Sequence, residues 1–208
     1  MSKKIVILSE EIVNKIAAGE VVERPASIVK ELLENAIDAG ATDIRVELEK
    51  GGTQSIRVID NGSGMARGDV PLAFQRYATS KIHKFEDISS VSSFGFRGEA
   101  MPSIASVAKV ELLTRRKNDL EGTKAVLEAG KIKEITPEGC PAGTQISVTR
   151  IFANVPARRK FLRTEATEQG LCMDAVTRLA LAHPEISFKV NMNERDAFAA
   201  PRVKDTYE

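Results

Sequence analysis

The sequence is poor in several features that would assign a function class directly. It has only two cysteines, Cys140 and Cys172, in 208 residues. Their spacing matches no metal site, and two cysteines make no disulfide framework, so a reducing compartment is indicated. Its apolar runs are too short to span a bilayer, and no basic-then-apolar leader opens the chain. We therefore expect a soluble, cytoplasmic protein with no membrane partner.

An excess of charge of one sign is also missing. Thirty Lys and Arg residues stand against 29 Asp and Glu residues, so overall charge does not indicate a nucleic-acid partner. Any contact with DNA would have to come from a local basic cluster. Apolar residues make up 42% of the chain, which is enough for one substantial core or two small ones.

Hydrophobic periodicity predicts alternating helices and strands. Helices are expected at 10–18, 25–39, 70–78, from about 99 onward and at 164–183, and strands at 44–49, 55–60, 109–115, 123–128, 144–150 and 186–192. Residues 79–99 are rich in Ser and Gly and too long for an ordinary connection, so a functional lid is predicted there. The order predicts an α+β fold with helices on one face of a largely antiparallel sheet.

The tail from residue 193 onward has a polar, turn-like composition and ends without a strong element. We therefore predict one domain over 1–200. Residues 201–208 are expected to begin a linker to a following domain.

The second predicted helix carries polar side chains beside its apolar stripe. At about 100° per residue, Glu31, Asn35 and Asp38 fall within one narrow sector that borders this stripe. Lys30 and Glu34 lie further round, on the face expected to meet solvent. A carboxylate and a carboxamide one turn apart, at the edge of a buried face, call for a chemical explanation.

Asp60 ends a predicted strand in an unusual environment. Period two places it on the same core face as Val58, and a buried carboxylate requires a partner. The following Gly62 and Gly64 allow a tight turn and a close approach of a ligand to the backbone. The same residues also suit an ordinary hairpin turn.

Three further stretches suit phosphate binding, although each also fits an ordinary role. The segment GFRGE (95–99) leads into a helix N-terminus, where free N–H groups and the helix dipole favour an anion. It equally fits a flexible loop. ATSKI (78–82) offers two hydroxyls and a lysine, but such residues are common on surfaces. Thr144 opens a later strand, where β propensity alone explains it.

Taken in order, these features resemble the Bergerat-fold ATPases of the GHKL superfamily, which include DNA gyrase B, the large heat-shock chaperones, sensor histidine kinases and MutL. The longer strings NKIAAGEVVERPASIVKELLENAIDAGAT, DNGSGM, ATSKI, GFRGEA and NVPARRKFL are similar to the MutL family of DNA mismatch-repair proteins. This resemblance covers almost the whole chain. It implies a two-layer α/β sandwich with a mixed, mostly antiparallel sheet.

The resemblance also implies an ATPase with ATP and Mg²⁺ as cofactors. Glu31 matches the general base that activates water, Asn35 matches the Mg²⁺ ligand, and Asp60 matches the carboxylate that accepts a hydrogen bond from the adenine amino group. Chemistry agrees, since residues at i and i+4 face the same point and an amide oxygen is a hard ligand. The other expected nucleotide contacts are Gly64, Thr79, Ser80, Lys81, Gly95, Arg97, Gly98, Glu99, Ala100, Met101 and Thr144.

A basic cluster within 156–163 contains Arg158, Arg159, Lys160 and Arg163. It fits either a solvated helix start or a contact to DNA phosphates without sequence preference. Relatives in the MutL family bind DNA weakly in this way.

By resemblance, the full-length protein is an ATP-dependent homodimer that works with a MutS-type mismatch recognition protein. Lid ordering and N-terminal dimerisation couple mismatch recognition to repair. A lysine of the following domain reaches the γ-phosphate in these relatives. This module alone is therefore expected to hydrolyse ATP slowly and to remain monomeric without nucleotide.

Three alternative functions share part of this pattern. The ATPase domain of a type II topoisomerase would share Glu31, Asn35 and Asp60 but lack GFRGEA and PARRKF. A histidine kinase would need a phospho-acceptor helix, and His83 and His183 lie in no such context. A binding module with a decayed ATP site is the third alternative, but the three polar residues that such decay would remove are all present.

Overall fold

The computed structural model describes residues 5–7, 9–81, 94–95 and 97–203. Its helices are α1 (Glu10–Val21), α2 (Pro25–Asp38), α3 (Val70–Ala73), α4 (Ala100–Val107), α5 (Pro156–Phe161) and α6 (Glu165–Ala182). Its strands are β1 (Asp43–Glu49), β2 (Ser55–Asp60), β3 (Lys109–Arg115), β4 (Gly122–Glu128), β5 (Lys131–Glu138), β6 (Gly143–Thr149), β7 (Ser187–Met192) and β8 (Arg195–Ala200). In this part of the chain no helix is long and apolar enough to cross a membrane.

The strands form one sheet in the order β5-β4-β3-β6-β2-β1-β7-β8. All neighbouring pairs are antiparallel except β1 and β7, which run parallel. Buried residues alternate with more exposed ones along the central strands, as expected when helices cover one face. The predicted α+β sandwich with a mixed, mostly antiparallel sheet is confirmed.

Helix α2 connects the core to the site. Pro25 opens it at the first turn, where its missing N–H costs nothing, and Gly40 follows its end with a positive φ of 72°. Ile28, Leu32 and Leu33 are 0–2% exposed, and each contributes roughly 1.5–3 kcal/mol by burial. These contacts fix the rotation of α2 and so fix which of its polar residues border the cavity described below.

The structure corrects the predictions at both edges of the sheet. The segment 131–138 forms strand β5, which was not predicted, because most of its side chains are exposed and show no alternation. The tail from residue 193 was predicted to be turn-like, but 195–200 forms strand β8, which pairs with β7. Both are edge strands whose side chains are mostly exposed, so neither shows the alternation that burial of one face gives.

Two helix boundaries also differ from the predictions. Helix α1 continues to Val21, beyond its predicted end at residue 18, and the helix expected over 70–78 ends at Ala73. Tyr77 has a positive φ of 63°, a conformation that no helix accommodates. Most of the predicted lid, at 82–93 and 96, lies outside the described residues, as does most of the predicted linker, at 204–208.

Candidate active site

One cavity of about 1100 Å³ lies between α2, the end of β2, the described flanks of the lid segment and the start of α4. The structure brings together in its lining every residue that the sequence analysis assigned to nucleotide or metal. These residues are Glu31, Asn35, Asp60, Gly64, Thr79, Ser80, Lys81, Gly95, Arg97, Gly98, Glu99, Ala100, Met101 and Thr144.

Glu31 lies on the cavity side of α2 with its side chain 24% exposed. Burial raises the pKa of its carboxyl group, and the negative charge of Glu34 adds to this effect. The ammonium groups of Lys30 and Lys81 act in the opposite direction, with Lys30 Nζ 3.5 Å from Glu31 Oε1. A raised pKa makes the ionised carboxylate a stronger base, which suits proton abstraction.

Glu34 was predicted on the solvent face of α2, and this was wrong. The residue is only 7% exposed and lines the cavity. Its carboxylate is 2.8 Å from Lys30 Nζ, and this i,i+4 ion pair compensates part of the cost of burying the charge. The Lys30–Glu34 spacing was the available sequence signal, but it is also typical of exposed helix faces.

Asp38 anchors both described flanks of the lid segment to α2. One carboxylate oxygen forms an ion pair with Lys81 Nζ, and the other accepts a hydrogen bond from the Phe94 backbone N–H at 3.3 Å. Lys81 Nζ also lies 3.4 Å from Asn35 Oδ1. The predicted metal ligand and the predicted phosphate-binding lysine are therefore neighbours, and Asp38 holds the lysine at this point.

Asp60 ends β2 with its carboxyl group in the cavity lining. Burial raises its pKa to about 6, although the backbone N–H groups of Gly62 and Thr144 act to lower it. The Gly62 N–H donates to Asp60 Oδ1 at 2.8 Å. Both interpretations of this stretch therefore hold at once, since one carboxylate closes the turn and also faces the cavity.

Two glycines allow backbone segments to meet around the cavity. Gly64 has a φ of 65°, and a Cβ there would lie 2.2 Å from the Arg115 carbonyl oxygen. Gly98 has a φ of 63°, and its Cβ would lie 2.4 Å from the Ala78 carbonyl oxygen. The second contact joins the lid flanks, where the Tyr77 N–H donates to the Gly98 carbonyl at 3.1 Å. A residue with a side chain would fit neither position without strain.

The basic cluster lies on α5 and just after it, away from the cavity lining. Its members differ in exposure. Arg158 is half-buried and donates to the Val22 carbonyl oxygen at 3.2 Å, with its guanidinium over Gly19, where a Cβ would meet Nη2 at 1.5 Å. Arg159, Lys160 and Arg163 are exposed. Arg158 thus packs against α1, while the other three cations point to solvent.

The donor set fits a metal ion that arrives with a phosphate ligand. Among the described residues, no group of three or more His, Cys, Asp and Glu side chains is arranged to enclose a metal. Magnesium commonly takes only one or two protein oxygens and completes its shell with phosphate and water. Asn35 Oδ1 can supply such an oxygen.

A sandwich of this topology, with a Glu and an Asn one turn apart and a half-buried Asp at a strand end around one cavity, defines a Bergerat-fold ATPase domain. Residues 23–146 match the family described as "Histidine kinase-, DNA gyrase B-, and HSP90-like ATPase". This match covers more than half of the chain, and the chain belongs to that family.

Within the family, the similarity is to MutL. The chain is 59% identical over 196 residues to the DNA mismatch repair protein MutL of Syntrophus aciditrophicus, covering 94% of this chain and 32% of that protein. It is 52% identical over 205 residues to MutL of Desulforamulus reducens, covering 97% and 32%. The chain thus spans about a third of the length of these curated relatives.

Solved structures agree with this relationship. The Aquifex aeolicus MutL ATPase domain complexed with ADP has a TM-score of 0.73 and 34% identity, covering 88% of this chain and 66% of that chain. The N-terminal domain of a DNA repair protein has a TM-score of 0.77 and 26% identity, covering 91% and 56%. The predicted fold and the predicted relationship to MutL are confirmed.

Proposed function

We propose that this chain is the N-terminal module of a MutL-type DNA mismatch repair protein and that it binds and hydrolyses Mg-ATP in the cavity. The observation that carries this proposal is the convergence of Glu31, Asn35 and Asp60 in one lining. The Aquifex relative, whose structure contains ADP, supports a nucleotide as the ligand.

Asp60 recognises the base in this proposal. Its ionised carboxylate has only acceptors to offer, and the adenine amino group is a donor. Because the Gly62 and Thr144 N–H groups fix the carboxylate, its orientation is set before the nucleotide arrives. Guanine presents a carbonyl oxygen at the same position and would place two acceptors against each other.

Asn35 and Glu31 have different roles at the phosphates. Asn35 contributes its side-chain oxygen to Mg²⁺, which when bound neutralises charge on the phosphate oxygens. Glu31, one turn earlier on the same side of α2, accepts a proton from the attacking water. The partly buried position of its carboxylate strengthens it as a base.

The phosphates are held by the lid flanks and by the start of α4. The first N–H groups of α4 have no partner within the helix and lie at its positive end, beside Gly98 and Glu99. Lys81 Nζ forms an ion pair with Asp38 and lies 3.4 Å from Asn35 Oδ1. An ammonium group has three donors, so in this proposal Lys81 contacts a phosphate from this position.

In the complete protein, ATP-driven ordering of the lid pairs two such modules and couples a MutS-type mismatch signal to downstream repair. The exposed Arg159, Lys160 and Arg163 offer a weak DNA contact without sequence preference. The chain by itself is expected to turn over slowly, because the lysine that completes the site in relatives belongs to the following domain.

Calorimetry and single-turnover hydrolysis test this function. We expect Glu31→Ala to retain Mg-dependent ATP binding and to lose hydrolysis by about 10²-fold or more, the loss typical of a removed general base. Asn35→Ala should instead weaken binding only in the presence of Mg²⁺. Glu134→Ala, on the exposed edge strand β5, is the matched control and should resemble wild type. Equal turnover in Glu31→Ala and wild type would refute the mechanism.

A further inference from the structure

A row of polar side chains crosses the sheet behind the base-binding end of the cavity. In the strand register, Asp60 on β2 lies opposite Thr144 on β6, Thr144 lies opposite Thr114 on β3, and Thr114 lies opposite Thr123 on β4. Thr114 is fully buried and Thr144 is 8% exposed. Asp60 and Thr144 reach the cavity lining, whereas Thr114 stands one strand behind them.

Three polar groups contact the Thr114 hydroxyl, of which one can only donate and one can only accept a hydrogen bond. The Met65 backbone N–H donates to Thr114 Oγ1 at 3.0 Å, and Thr114 Oγ1 donates to the Gly143 carbonyl at 3.0 Å. Thr144 Oγ1 lies 3.1 Å away and could by itself act in either direction. A hydroxyl has one proton and two lone pairs. Since the proton goes to Gly143 and one lone pair to Met65, Thr144 must donate to the second lone pair.

The Thr144 hydroxyl therefore has a fixed direction. The Thr144 O–H group points away from the cavity towards Thr114, so the Thr144 oxygen presents only lone pairs to the cavity. The ionised Asp60 carboxylate beside it also offers only acceptors. The base-recognising end of the cavity is therefore lined by two adjacent hydrogen-bond acceptors. This arrangement suits a base edge or a bridging water that donates hydrogen bonds.

We infer that Thr114 is a positioning residue for base selectivity, because it turns the Thr144 hydroxyl into an obligate acceptor at the nucleotide base. This inference rests on the proposed function and deepens it. Thr114 acts through Thr144 and does not touch the nucleotide. Through Met65 it also ties the DNGSGM loop to β3, so the same hydroxyl holds both walls of the base site.

The test is the ratio of dissociation constants for ITP and ATP, measured by calorimetry within each variant. Hypoxanthine carries a carbonyl where adenine carries an amino group, so the wild type should bind ITP more weakly. In Thr114→Val the Thr144 hydroxyl loses its acceptor, so its O–H group can turn and donate a hydrogen bond to that carbonyl. We expect the ITP/ATP ratio to fall roughly tenfold, the effect of one hydrogen bond. A general loss of folding would weaken both nucleotides alike and leave the ratio unchanged.

Two further variants make the outcome specific. Thr114→Ser retains the hydroxyl and should show the wild-type ITP/ATP ratio. Thr123→Val makes the Thr-to-Val change one strand further from the cavity and should also show the wild-type ratio. Adding Thr114→Val to Thr144→Val should not lower the ratio further, since Thr114 acts through Thr144. If Thr114→Val does not fold, Thr114→Cys replaces it, because a thiol is only a weak hydrogen-bonding group.

The possible results separate the inference from the proposed function. An unchanged ratio in Thr114→Val or its Cys replacement, an equal fall in Thr123→Val, or no recovery in Thr114→Ser would overturn the role of Thr114. A wild-type chain that binds neither nucleotide would overturn the proposed function itself.

Discussion

Replacing Asp60 with Asn should weaken ATP binding and, at the same time, stabilise the empty protein. Whichever way the new carboxamide turns, its NH2 group faces a donor, either the adenine amino group or the backbone N–H groups of Gly62 and Thr144. Loss of a charge-assisted hydrogen bond worth about 2 kcal/mol weakens binding by about 30-fold, and an opposed donor adds to that. Calorimetry at pH 7.5 measures this loss.

The gain in stability follows from the pKa of Asp60. Burial raises this pKa from 3.8 to about 6, so the folded wild type holds the proton more tightly than the unfolded chain does. Its stability therefore falls as the pH rises from about 4 to about 6 and then stays level. At about 1.36 kcal/mol per pKa unit, the ionised carboxylate costs the empty fold about 3 kcal/mol at pH 8 and roughly half of that at pH 5.

A neutral carboxamide does not carry this cost. In the empty site it can still accept from the Gly62 N–H while its NH2 group faces water in the cavity. Urea unfolding without nucleotide should show Asp60→Asn to be more stable than wild type, with a larger difference at pH 8 than at pH 5. Asp43→Asn makes the same change at an exposed position on β1 and should show neither effect. Wild-type ATP affinity in Asp60→Asn, or a loss of stability at pH 8, would refute the reasoning.

Three other outcomes follow from the site and the basic cluster. Glu34→Gln removes a negative charge that raises the pKa of Glu31, so the acidic limb of the hydrolysis–pH profile should move to lower pH; a shift upward would contradict this. Asp38→Asn should speed amide exchange in both described lid flanks of the empty protein, and unchanged exchange would remove its role as an anchor. Arg159→Ala should reduce the salt slope of DNA binding by about 1, whereas Arg158→Ala should not, and equal effects would contradict their different exposure.

The residues that line the cavity could be predicted because the sequence resembles the MutL family, and their types and spacing agree with the chemistry proposed for them. In the proposed mechanism a general base and a metal ligand serve one phosphate from the same side of a helix, which agrees with the i,i+4 relation of Glu31 and Asn35. The carboxylate proposed to read the base lies at the end of a strand and before a tight turn, which agrees with Asp60 and the glycines that follow it. Hydrophobic periodicity predicts the helices and the central strands because each of them buries one face.

What was missed depends on neighbours that are distant in sequence. The burial of Glu34 is set by the fold around α2, which the helix's own periodicity does not contain. Strands β5 and β8 lie at the two edges of the sheet, where exposure removes the alternating pattern. Thr114 looks like any strand threonine until the order β3-β6-β2 places it directly behind Thr144.

The two carboxylates to which we assign functions, Glu31 and Asp60, are held by the fold in different ways. Both have their pKa raised chiefly by burial. Asp60 is held by the backbone N–H groups of Gly62 and Thr144, which fix its direction, as the proposed recognition of a base requires. Among the described residues, the groups that act against the burial of Glu31 are the ammonium groups of Lys30 and Lys81. These side chains are flexible, so the carboxylate stays free to take up a proton. The cost of ionising Asp60 is present in the empty protein, and a bound adenine amino group offsets it. Nucleotide binding should therefore raise the free energy of unfolding of this module by more than the other contacts between nucleotide and protein would provide.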